Sequence, residues 1–243
     1  MTPPLFLVPE LGTGSTIVLT GAEAHHAATV KRLVAGEQVL LADGRGGLAE
    51  VVVASVARDR VVCEVRTRTV TAAPDPRFVV VQALPKGERA DLAVEILTEL
   101  GVDEIVPWSA SRSVTVWKGE KAGRGIAKWQ RTAWEAAKQS RRARVPMVAE
   151  LAGTAEVERR IAAAALAVVL HEDATEALVG IAAPAGGEVL VVVGPEGGVA
   201  PEELGRFLAA GARPVRLGTE VLRTSTAGAA ALAVLSAAVG RWH

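Results

Sequence analysis

Residues 188–198 read Glu-Val-Leu-Val-Val-Val-Gly-Pro-Glu-Gly-Gly. The apolar run without alternation predicts a strand that is buried on both faces, as in a parallel sheet covered by helices. Glycines then break the run, and Pro201-Glu202-Glu203 is typical of a helix N-terminus, with proline first and acids in the first turn. Strand, glycine loop and helix in this order favour an α/β fold.

A second glycine-containing loop follows about twenty residues later. Residues 217–224 read Leu-Gly-Thr-Glu-Val-Leu-Arg-Thr and also lie between an apolar run and a predicted helix. Neither loop matches the Gly-rich fingerprints of dinucleotide or phosphate binding, which argues against a dinucleotide-dependent enzyme. Two such loops at strand ends indicate a ligand site. Arg223 and Thr224, just before a helix, are placed to hold an anion or a polar ligand edge.

The alternation of strand and helix extends back to residue 78. Gly101 is placed to end the first helix of this region as a C′ glycine. The predicted strands are 78–83, 104–106, 167–170, 188–193 and 214–217, and the predicted helices are 89–100, 124–140, 201–210 and 224–239.

The first 71 residues instead predict a small β-barrel. Its predicted strands are 5–8, 16–19, 38–42, 49–56 and 60–69, and Thr20-Gly21-Ala22-Glu23 matches a capping box that opens one helix through His25, His26 and Val30. Residues 72–76, Ala-Ala-Pro-Asp-Pro, are typical of a linker. We therefore expect a domain of residues 1–71 followed by a domain of residues 72–243.

Composition narrows the class of protein. The 243 residues carry 27 basic and 27 acidic side chains, so no overall field attracts nucleic acid. The single cysteine, Cys63, cannot form an internal disulfide, which fits a reducing compartment. With no signal peptide and no apolar run long enough to span a bilayer, we expect a soluble cytoplasmic protein that contacts no membrane.

Charge is nevertheless concentrated in one segment. Between Arg112 and Arg144 ten basic residues face only Glu120 and Glu135, a net charge of +8. Helical spacing places Arg124, Lys128, Arg131, Glu135, Lys138 and Arg142 on one face, while Ile126, Trp129, Ala133 and Ala136 lie on the other. A solvated helix face would explain this pattern, but its density in a neutral chain favours a surface that contacts RNA phosphates.

Other candidate sites are weak. His25 and His26 are adjacent, so they do not share a helix face, and no ligand cluster accompanies them; we expect no metal site. No serine or cysteine has the surroundings of a nucleophile. His171-Glu172-Asp173 directly follows a predicted strand, where α/β proteins place ligands. An ordinary loop with an aspartate that caps a helix would explain the same residues.

At the two glycine loops the chain resembles the SPOUT methyltransferases, and among them the bacterial RsmE-type family that methylates N3 of a uridine in 16S ribosomal RNA. The resemblance covers most of the chain in four segments. They are His25-His26 through Arg32; Pro85-Lys86-Gly87 with residues 98–102; Trp129 with residues 135–142 and Val145-Pro146; and residues 194–198 with 217–227.

The resemblance implies a PUA-like β-barrel followed by a SPOUT α/β domain whose C-terminus forms a trefoil knot. It implies a homodimer that acts on 16S ribosomal RNA in the assembled small subunit, with S-adenosylmethionine as methyl donor. The implied cofactor-binding residues are Leu170, His171, Glu172, Gly194, Pro195, Glu196, Gly197, Gly198, Leu217, Gly218, Val221, Leu222, Arg223, Thr224, Thr226 and Ala227. The RNA-binding residues that we expect are His25, Lys31, Arg32, Arg124, Lys128, Arg131, Lys138, Arg141 and Arg142.

The chemistry of that reaction suggests roles within the set. The uridine ring becomes anionic as N3 loses its proton, so we expect Arg223 to stabilise the anion with help from Arg112, and Glu196 or His171 to accept the proton. Two residues depart from the family pattern: Ser225 replaces an acid, and Lys31 replaces a leucine. The alternatives are a SPOUT methyltransferase that acts on another RNA and a noncatalytic RNA-binding protein.

Overall fold

The computed structural model describes residues 3–242, whose backbone packs as two compact units. The first unit contains residues 3–73 together with 137–145, and the second contains residues 74–136 and 146–242. Segment 137–145 begins in the last turn of the basic helix and lies within the second expected domain, but it packs with the N-terminal unit. Backbone hydrogen bonds hold it there, from Gly46 N to Ala143 O (3.0 Å) and from Val145 N to Gly44 O (3.0 Å).

The first unit is built on a five-stranded sheet. Its strands are β1 (Leu5–Leu7), β2 (Thr16–Thr20), β3 (Gln38–Ala42), β4 (Gly47–Ala57) and β5 (Arg60–Val70). The order is β1-β3-β4-β5-β2, with β1 and β3 parallel and the other neighbours antiparallel. All five predicted strands are present within two residues at either end. Because β1 and β2 form separate edges, the sheet is a half-barrel rather than a closed ring.

Alternation of side chains builds the core of this unit. In β2, Ile17 and Leu19 point inward and are buried, while their neighbours are exposed. Cys63 on β5 is fully buried, and burial raises the pKa of its thiol to about 11. The cysteine is therefore a packing residue and not a nucleophile.

The predicted N-terminal helix has two parts. Helix α1 (Gly21–His25) continues directly into a π-helical turn (His26–Val30). The predicted capping box is wrong, because the Thr20 side chain makes no hydrogen bond to the helix. Instead, the Glu23 carboxylate lies 2.7 Å from the ammonium of Lys138.

The second unit contains a six-stranded parallel sheet, as the unbroken apolar runs predict. Its strands are β6 (Arg77–Ala83), β7 (Glu104–Trp108), β8 (Met147–Val148), β9 (Leu166–Leu170), β10 (Glu188–Val193) and β11 (Arg213–Val215). Their order is β11-β9-β10-β6-β7-β8, and every neighbouring pair is parallel. Only the short β8 is absent from the sequence-based prediction.

Helices cover both faces of this sheet. These helices are α2 (Arg89–Glu99), α4 (Thr154–Ala163), α5 (Pro201–Ala209) and α6 (Thr224–Ala238), with α4 also absent from the sequence-based prediction. Helix α3 (Glu120–Gln139) instead contacts the edge strand β8, where Val148 N donates to Gln130 Oε1 (3.0 Å). On one face, α4 and α5 pack on a core that contains Trp108 and Phe207, whose rings meet edge to face at 5.3 Å. On the other face α6 packs against α2, so closely at Gly228 that a Cβ atom there would lie 3.1 Å from Leu97 Cδ2.

The amino end of the sheet holds an ionic cluster around a buried glutamate. Arg77, Glu104 and Glu188 are the first residues of β6, β7 and β10, and Glu104 is only 2% exposed. Arg77 pairs with both glutamates, and Arg160 Nη2 lies 2.9 Å from Glu104 Oε1. This cluster fixes the end of the sheet where the strands begin, which leaves the opposite end for a ligand site.

Candidate functional site

A cavity of about 720 Å³ opens at the carboxyl end of the parallel sheet. The loops after β6, β7, β9, β10 and β11 all contribute to its wall. This is where open α/β sheets bind ligands, because the ends of neighbouring parallel strands and the loops that follow them converge there. The strand pattern of the sequence predicts this edge, but the convergence of five loops follows from the strand order.

The structure brings nearly all of the expected cofactor residues to this cavity. Of the sixteen residues, fifteen line it: Leu170, His171, Glu172, Gly194, Pro195, Glu196, Gly197, Gly198, Leu217, Gly218, Val221, Leu222, Arg223, Thr224 and Ala227. Thr226 is the exception, because it does not line the cavity. Its hydroxyl donates to the carbonyl oxygen of Arg223 (3.2 Å), so it stabilises the start of α6 instead of facing the cavity.

The Gly194–Gly198 loop owes its shape to missing side chains. Gly198 has φ +74°, a conformation that favours glycine, and its N–H donates to Pro195 O (2.9 Å). A Cβ atom on Gly194 would lie 2.8 Å from Val199 Cγ2, and one on Gly197 would lie 3.3 Å from Arg112 Cβ. The loop is therefore packed tightly on its protein side and free on its cavity side.

The last loop ends at the first turn of α6. Arg223 has extended backbone angles and precedes the helix, and its carbonyl oxygen accepts hydrogen bonds from the N–H groups of Thr226 and Ala227 (both 2.9 Å). The Arg223 residue is exposed on the cavity wall, whereas Thr224 and Ser225 are buried. Ser225 is 3% exposed and does not line the cavity, so its side chain forms no part of the cavity wall.

The residues with expected catalytic roles, Arg112, Glu196 and Arg223, share this cavity wall. Arg112 Nη1 donates to the carbonyl oxygen of Gly197 (3.3 Å), which holds its guanidinium beside the glycine loop. Glu196 is exposed, and its Oε1 accepts a hydrogen bond from the backbone N–H of Lys86 (3.1 Å). The second carboxylate oxygen, Oε2, takes no part in this hydrogen bond.

His171 is less suited to accept a proton. Its Nδ1 accepts a hydrogen bond from the backbone N–H of Asp173 (3.2 Å), so the lone pair of that nitrogen is already engaged. In a neutral ring the other nitrogen then carries the hydrogen. Of the two proton acceptors considered from the sequence, the geometry favours Glu196.

The cavity wall also contains charged residues outside the expected cofactor set, namely Arg89, Asp173, Arg216 and Glu220. The sequence does indicate Asp173, because this residue follows His171 and Glu172 directly after a predicted strand. With them, four arginines and four acids line the cavity, which suits a ligand that carries both signs of charge.

These features fit the cofactor that the resemblance implies. S-adenosylmethionine carries a carboxylate, an amine, a sulfonium and an uncharged adenosine, which match a wall of mixed charge that also includes Val193, Leu217 and Leu222. The volume lies within the range of small-molecule sites. Glycines at 194 and 197 let the loop backbone pack closely on Val199 and Arg112, and Gly198 has open space where a side chain would stand.

The basic face predicted on α3 is present in the second unit. Arg124, Lys128 and Arg131 are exposed, while Trp129 and Ala133 on the opposite side are buried. Lys128 also lies 2.7 Å from Asp91, and Trp117 packs edge to face on Trp129 at 5.2 Å, so Trp117 serves packing.

The remaining expected RNA contacts lie in the first unit. His25, Lys31, Arg32 and Arg141 are exposed, and Arg142 is half-buried. Lys138 is a correction: its side chain is only 8% exposed and is paired with Glu23, so it is an internal ion pair and is not available to RNA phosphates. Arg32 adopts φ +54°, an uncommon conformation for arginine that tends to occur at functional sites.

Two negative findings apply to the described part of the chain. Across residues 3–242, no three side chains of His, Cys, Asp or Glu are grouped so that they could hold a metal ion. Over the same residues, none of the helices combines the length and apolar character needed to cross a membrane.

Comparison with known proteins agrees with this geometry. The family model of the RNA methyltransferase domain matches residues 73–236, and that of the RNA methyltransferase PUA domain matches residues 19–66. The chain is 45% identical to ribosomal RNA small subunit methyltransferase E of Mycobacterium bovis, over 100% of this chain and 94% of the relative. It is 31% identical to the Bacillus subtilis protein of the same name, over 91% and 90%.

A solved structure extends the comparison to a bound ligand. Ribosomal RNA small subunit methyltransferase E from Neisseria gonorrhoeae, crystallised with S-adenosyl methionine, superposes with a TM-score of 0.85 at 27% identity. The match covers 97% of this chain and 98% of that one. Both compact units of the chain thus have counterparts in a protein that binds this ligand.

Proposed function

The chain belongs to the RNA methyltransferase family, in its branch of ribosomal RNA small subunit methyltransferase E, and we propose that it methylates N3 of a uridine in 16S ribosomal RNA. It is an S-adenosylmethionine-dependent enzyme that methylates small-subunit ribosomal RNA. The observation that carries the uridine-N3 proposal is the presence of Arg112, Arg223 and Glu196 on one cavity wall. A base that must lose a proton before it can react needs a group that accepts this proton and positive charges that stabilise the resulting anion.

When bound, S-adenosylmethionine supplies an electrophilic methyl group on a sulfonium sulfur. Residues of the loops after β9, β10 and β11 would hold it, among them residues 194–198 of the glycine loop. Much of the rate would come from holding the base beside the bound methyl donor, because fixed orientation replaces a costly encounter of two molecules.

The two arginines act on the base. Loss of the N3 proton spreads negative charge over the uridine ring and its oxygens O2 and O4. The guanidinium of Arg112 is held by Gly197 O before the reaction starts, and the exposed Arg223 adds a second positive charge on the same wall. Both charges stabilise the anion. A neutral side chain at either position would leave the anion less stable.

Glu196 is the proton acceptor that the geometry supports best. Its Oε1 is held by Lys86 N, which orients the carboxylate, and the free Oε2 can accept the N3 proton. The target base has to leave its stack to enter a cavity of this kind, as in other enzymes that modify bases.

RNA binding is assigned to the exposed basic residues. On the second unit these are Arg124, Lys128 and Arg131, and on the first they are His25, Lys31, Arg32, Arg141 and the half-buried Arg142. Phosphate contacts of this type contribute affinity without reading sequence. We propose that the sequence is read instead where the base enters the cavity.

The path of the C-terminal segment supports the trefoil knot that the resemblance implies. After β11, at one edge of the sheet, the chain passes β9 and β10 and reaches β6, where Gln82 Nε2 donates to Thr224 O (3.2 Å). We propose that this crossing forms a knot.

We further propose a homodimer that acts in the cytoplasm on the assembled small subunit. Exposed Val221 and Leu222 on the last cofactor loop support the dimer, because a partner that covers them would also close the cavity. Light scattering coupled to gel filtration tests the dimer. Methylation of purified small subunits against protein-free 16S RNA tests the form of the substrate.

Incubation of the purified chain with small subunits and methyl-labelled S-adenosylmethionine tests the proposed reaction. Nuclease digestion and mass spectrometry of the RNA should show a single 3-methyluridine. Label on a ribose hydroxyl, on another base or on no nucleoside would contradict the uridine-N3 assignment. Calorimetry that shows S-adenosylmethionine binding without any transfer would favour a noncatalytic RNA-binding protein.

A further inference from the structure

Glu203, in the first turn of α5, holds a buried carboxylate that the reaction above does not use. The residue is 6% exposed and does not line the cavity. Its Oε1 accepts hydrogen bonds from Ser111 N (3.0 Å) and Thr154 Oγ1 (2.9 Å). Its Oε2 accepts from Ser111 Oγ (2.9 Å) and Ala200 N (3.4 Å).

These four donors come from three separate elements. Ser111 lies in the loop after β7, Thr154 is the first residue of α4, and Ala200 precedes α5. A carboxylate offers about four acceptor sites, so all of them are used by protein donors. An acid placed in the first turn only to interact with the helix dipole would face solvent. Glu203 instead joins the start of α5 to the loop after β7.

That loop carries Arg112, the residue directly after Ser111. Glu203 fixes Ser111 through both its backbone N–H and its hydroxyl. Arg112 follows this fixed residue and packs against Gly197, so closely that a Cβ atom added to Gly197 would lie 3.3 Å from Arg112 Cβ. The Arg112 guanidinium also donates a hydrogen bond to Gly197 O. An unbroken series of contacts thus runs from Glu203 through Ser111 and Arg112 to the glycine loop of the cavity.

We propose that Glu203 is a positioning residue, which holds the Arg112 guanidinium at the cavity through Ser111 without touching substrate or cofactor. This inference rests on the catalytic role proposed for Arg112. It explains why a carboxylate is buried at this place, since neither a shorter nor a neutral side chain accepts four hydrogen bonds in the same directions. Thr154 and Ala200 keep that carboxylate aimed at Ser111.

A double-mutant cycle tests the coupling to Arg112. Glu203→Gln keeps the shape of the side chain but loses acceptor sites, and Arg112→Ala removes the guanidinium. We expect each single variant to lower kcat about tenfold or more, and the double variant to be no slower than Arg112→Ala alone. Glu202→Gln, the same change one residue earlier at an exposed position, is the matched control and should keep wild-type kcat.

Additive losses in the double variant would overturn the proposal, because they would mean that Glu203 acts independently of Arg112. An Arg112→Ala variant with wild-type kcat would overturn it too, together with the proposed role of Arg112. Should Glu203→Gln fail to fold, Ser111→Ala replaces it in the cycle, since it removes one donor and leaves the carboxylate paired.

Hydrogen exchange of the free protein separates this inference from the proposed function. In Glu203→Gln, amides of residues 109–113 and 194–198 should exchange at least about tenfold faster than in the wild type and in Glu202→Gln. Unchanged exchange would contradict the positioning role whatever RNA the enzyme methylates. Faster exchange in Glu203→Gln, combined with a wild-type protein that forms no 3-methyluridine, would refute only the proposed reaction.

Discussion

The side-chain amide of Gln82, buried on β6, donates a hydrogen bond to the carbonyl oxygen of Thr224, 142 positions later in the chain (3.2 Å). The same nitrogen also donates to Ala83 O (3.1 Å). This bond ties the first turn of α6 to a strand in the middle of the sheet. Arg223 immediately precedes that turn, so its place on the cavity wall is set by a contact inside the fold.

Arg223→Ala tests the proposed role of this arginine. Because the guanidinium stabilises charge that develops only during the reaction, kcat should fall about 100-fold, and the calorimetric Kd for S-adenosylmethionine should change by less than about threefold. Arg223→Lys keeps the charge and should recover part of the rate. Full turnover by Arg223→Ala with unchanged cofactor affinity would contradict the mechanism.

Gly194→Ala should weaken cofactor binding. The added Cβ atom would lie 2.8 Å from Val199 Cγ2, so the loop must shift. We expect the calorimetric Kd for S-adenosylmethionine to rise about tenfold, equivalent to about 1.4 kcal/mol. The control is Gly205→Ala in the exposed middle of α5, where nothing lies within 4 Å of the new atom. It should leave the Kd unchanged and stabilise the helix by about 0.5–1 kcal/mol. Equal Kd values for all three proteins would refute a role of the loop shape in binding.

Charge reversal on α3 tests the RNA surface. Replacement of Arg124, Lys128 and Arg131 by glutamate should weaken binding to small-subunit RNA and make the dependence of log K on log salt shallower, by about one unit for each phosphate that the variant no longer neutralises. Filter binding across a salt series measures both quantities. Arg159→Glu, at an exposed position of α4, changes the net charge equally per residue but should keep the slope. If the triple variant and Arg159→Glu showed the same slope of log K against log salt, the result would contradict a specific RNA-binding face on α3.

Glu188 should make stability depend on pH. Burial raises the pKa of its carboxyl above the ordinary value of 4.5, with Arg77 acting against this effect and Glu104 adding to it. The folded protein therefore holds this proton more tightly than the unfolded chain, and ionisation above pH 4.5 lowers the free energy of unfolding.

The Glu188→Gln variant has no carboxyl at this position that could ionise, so it should not show this loss of stability. Urea unfolding should show the stability of Glu188→Gln, relative to the wild type, rising as the pH increases from below 4.5 to 7. Glu150→Gln, an exposed residue outside the ionic cluster, serves as the control and should follow the wild type more closely. A stability difference that stays constant with pH would mean that Glu188 is not perturbed in the folded state.

The sequence predicts most elements of the fold because local patterns determine them. The predicted bounds of strand β10 are the observed ones. An unbroken apolar run of this kind is visible in the sequence without knowledge of the neighbouring strands. Helix α4 was missed because its alanine-rich end merges with the apolar run of β9. The packing of residues 137–145 with the first unit depends on hydrogen bonds to Gly44 and Gly46, about a hundred positions away, which no local pattern reveals.

The same distinction holds for the site. The two glycine loops carry their own signals, so nearly all of the expected cofactor residues lie on the cavity wall. Arg89 carries no such signal, because it reaches the cavity only through the position of β6 in the sheet. Glu203 shows the limit most clearly. The sequence places it in a helix cap, whereas its function depends on Ser111 and Thr154, which are 92 and 49 positions away.

Mass spectrometry of 16S ribosomal RNA from a strain that lacks this chain tests the central claim most directly. We expect loss of one 3-methyluridine, its return when the wild-type chain is supplied, and no return with Arg223→Ala. An unchanged 3-methyluridine content in the deletion strain would contradict the assignment of both substrate and reaction.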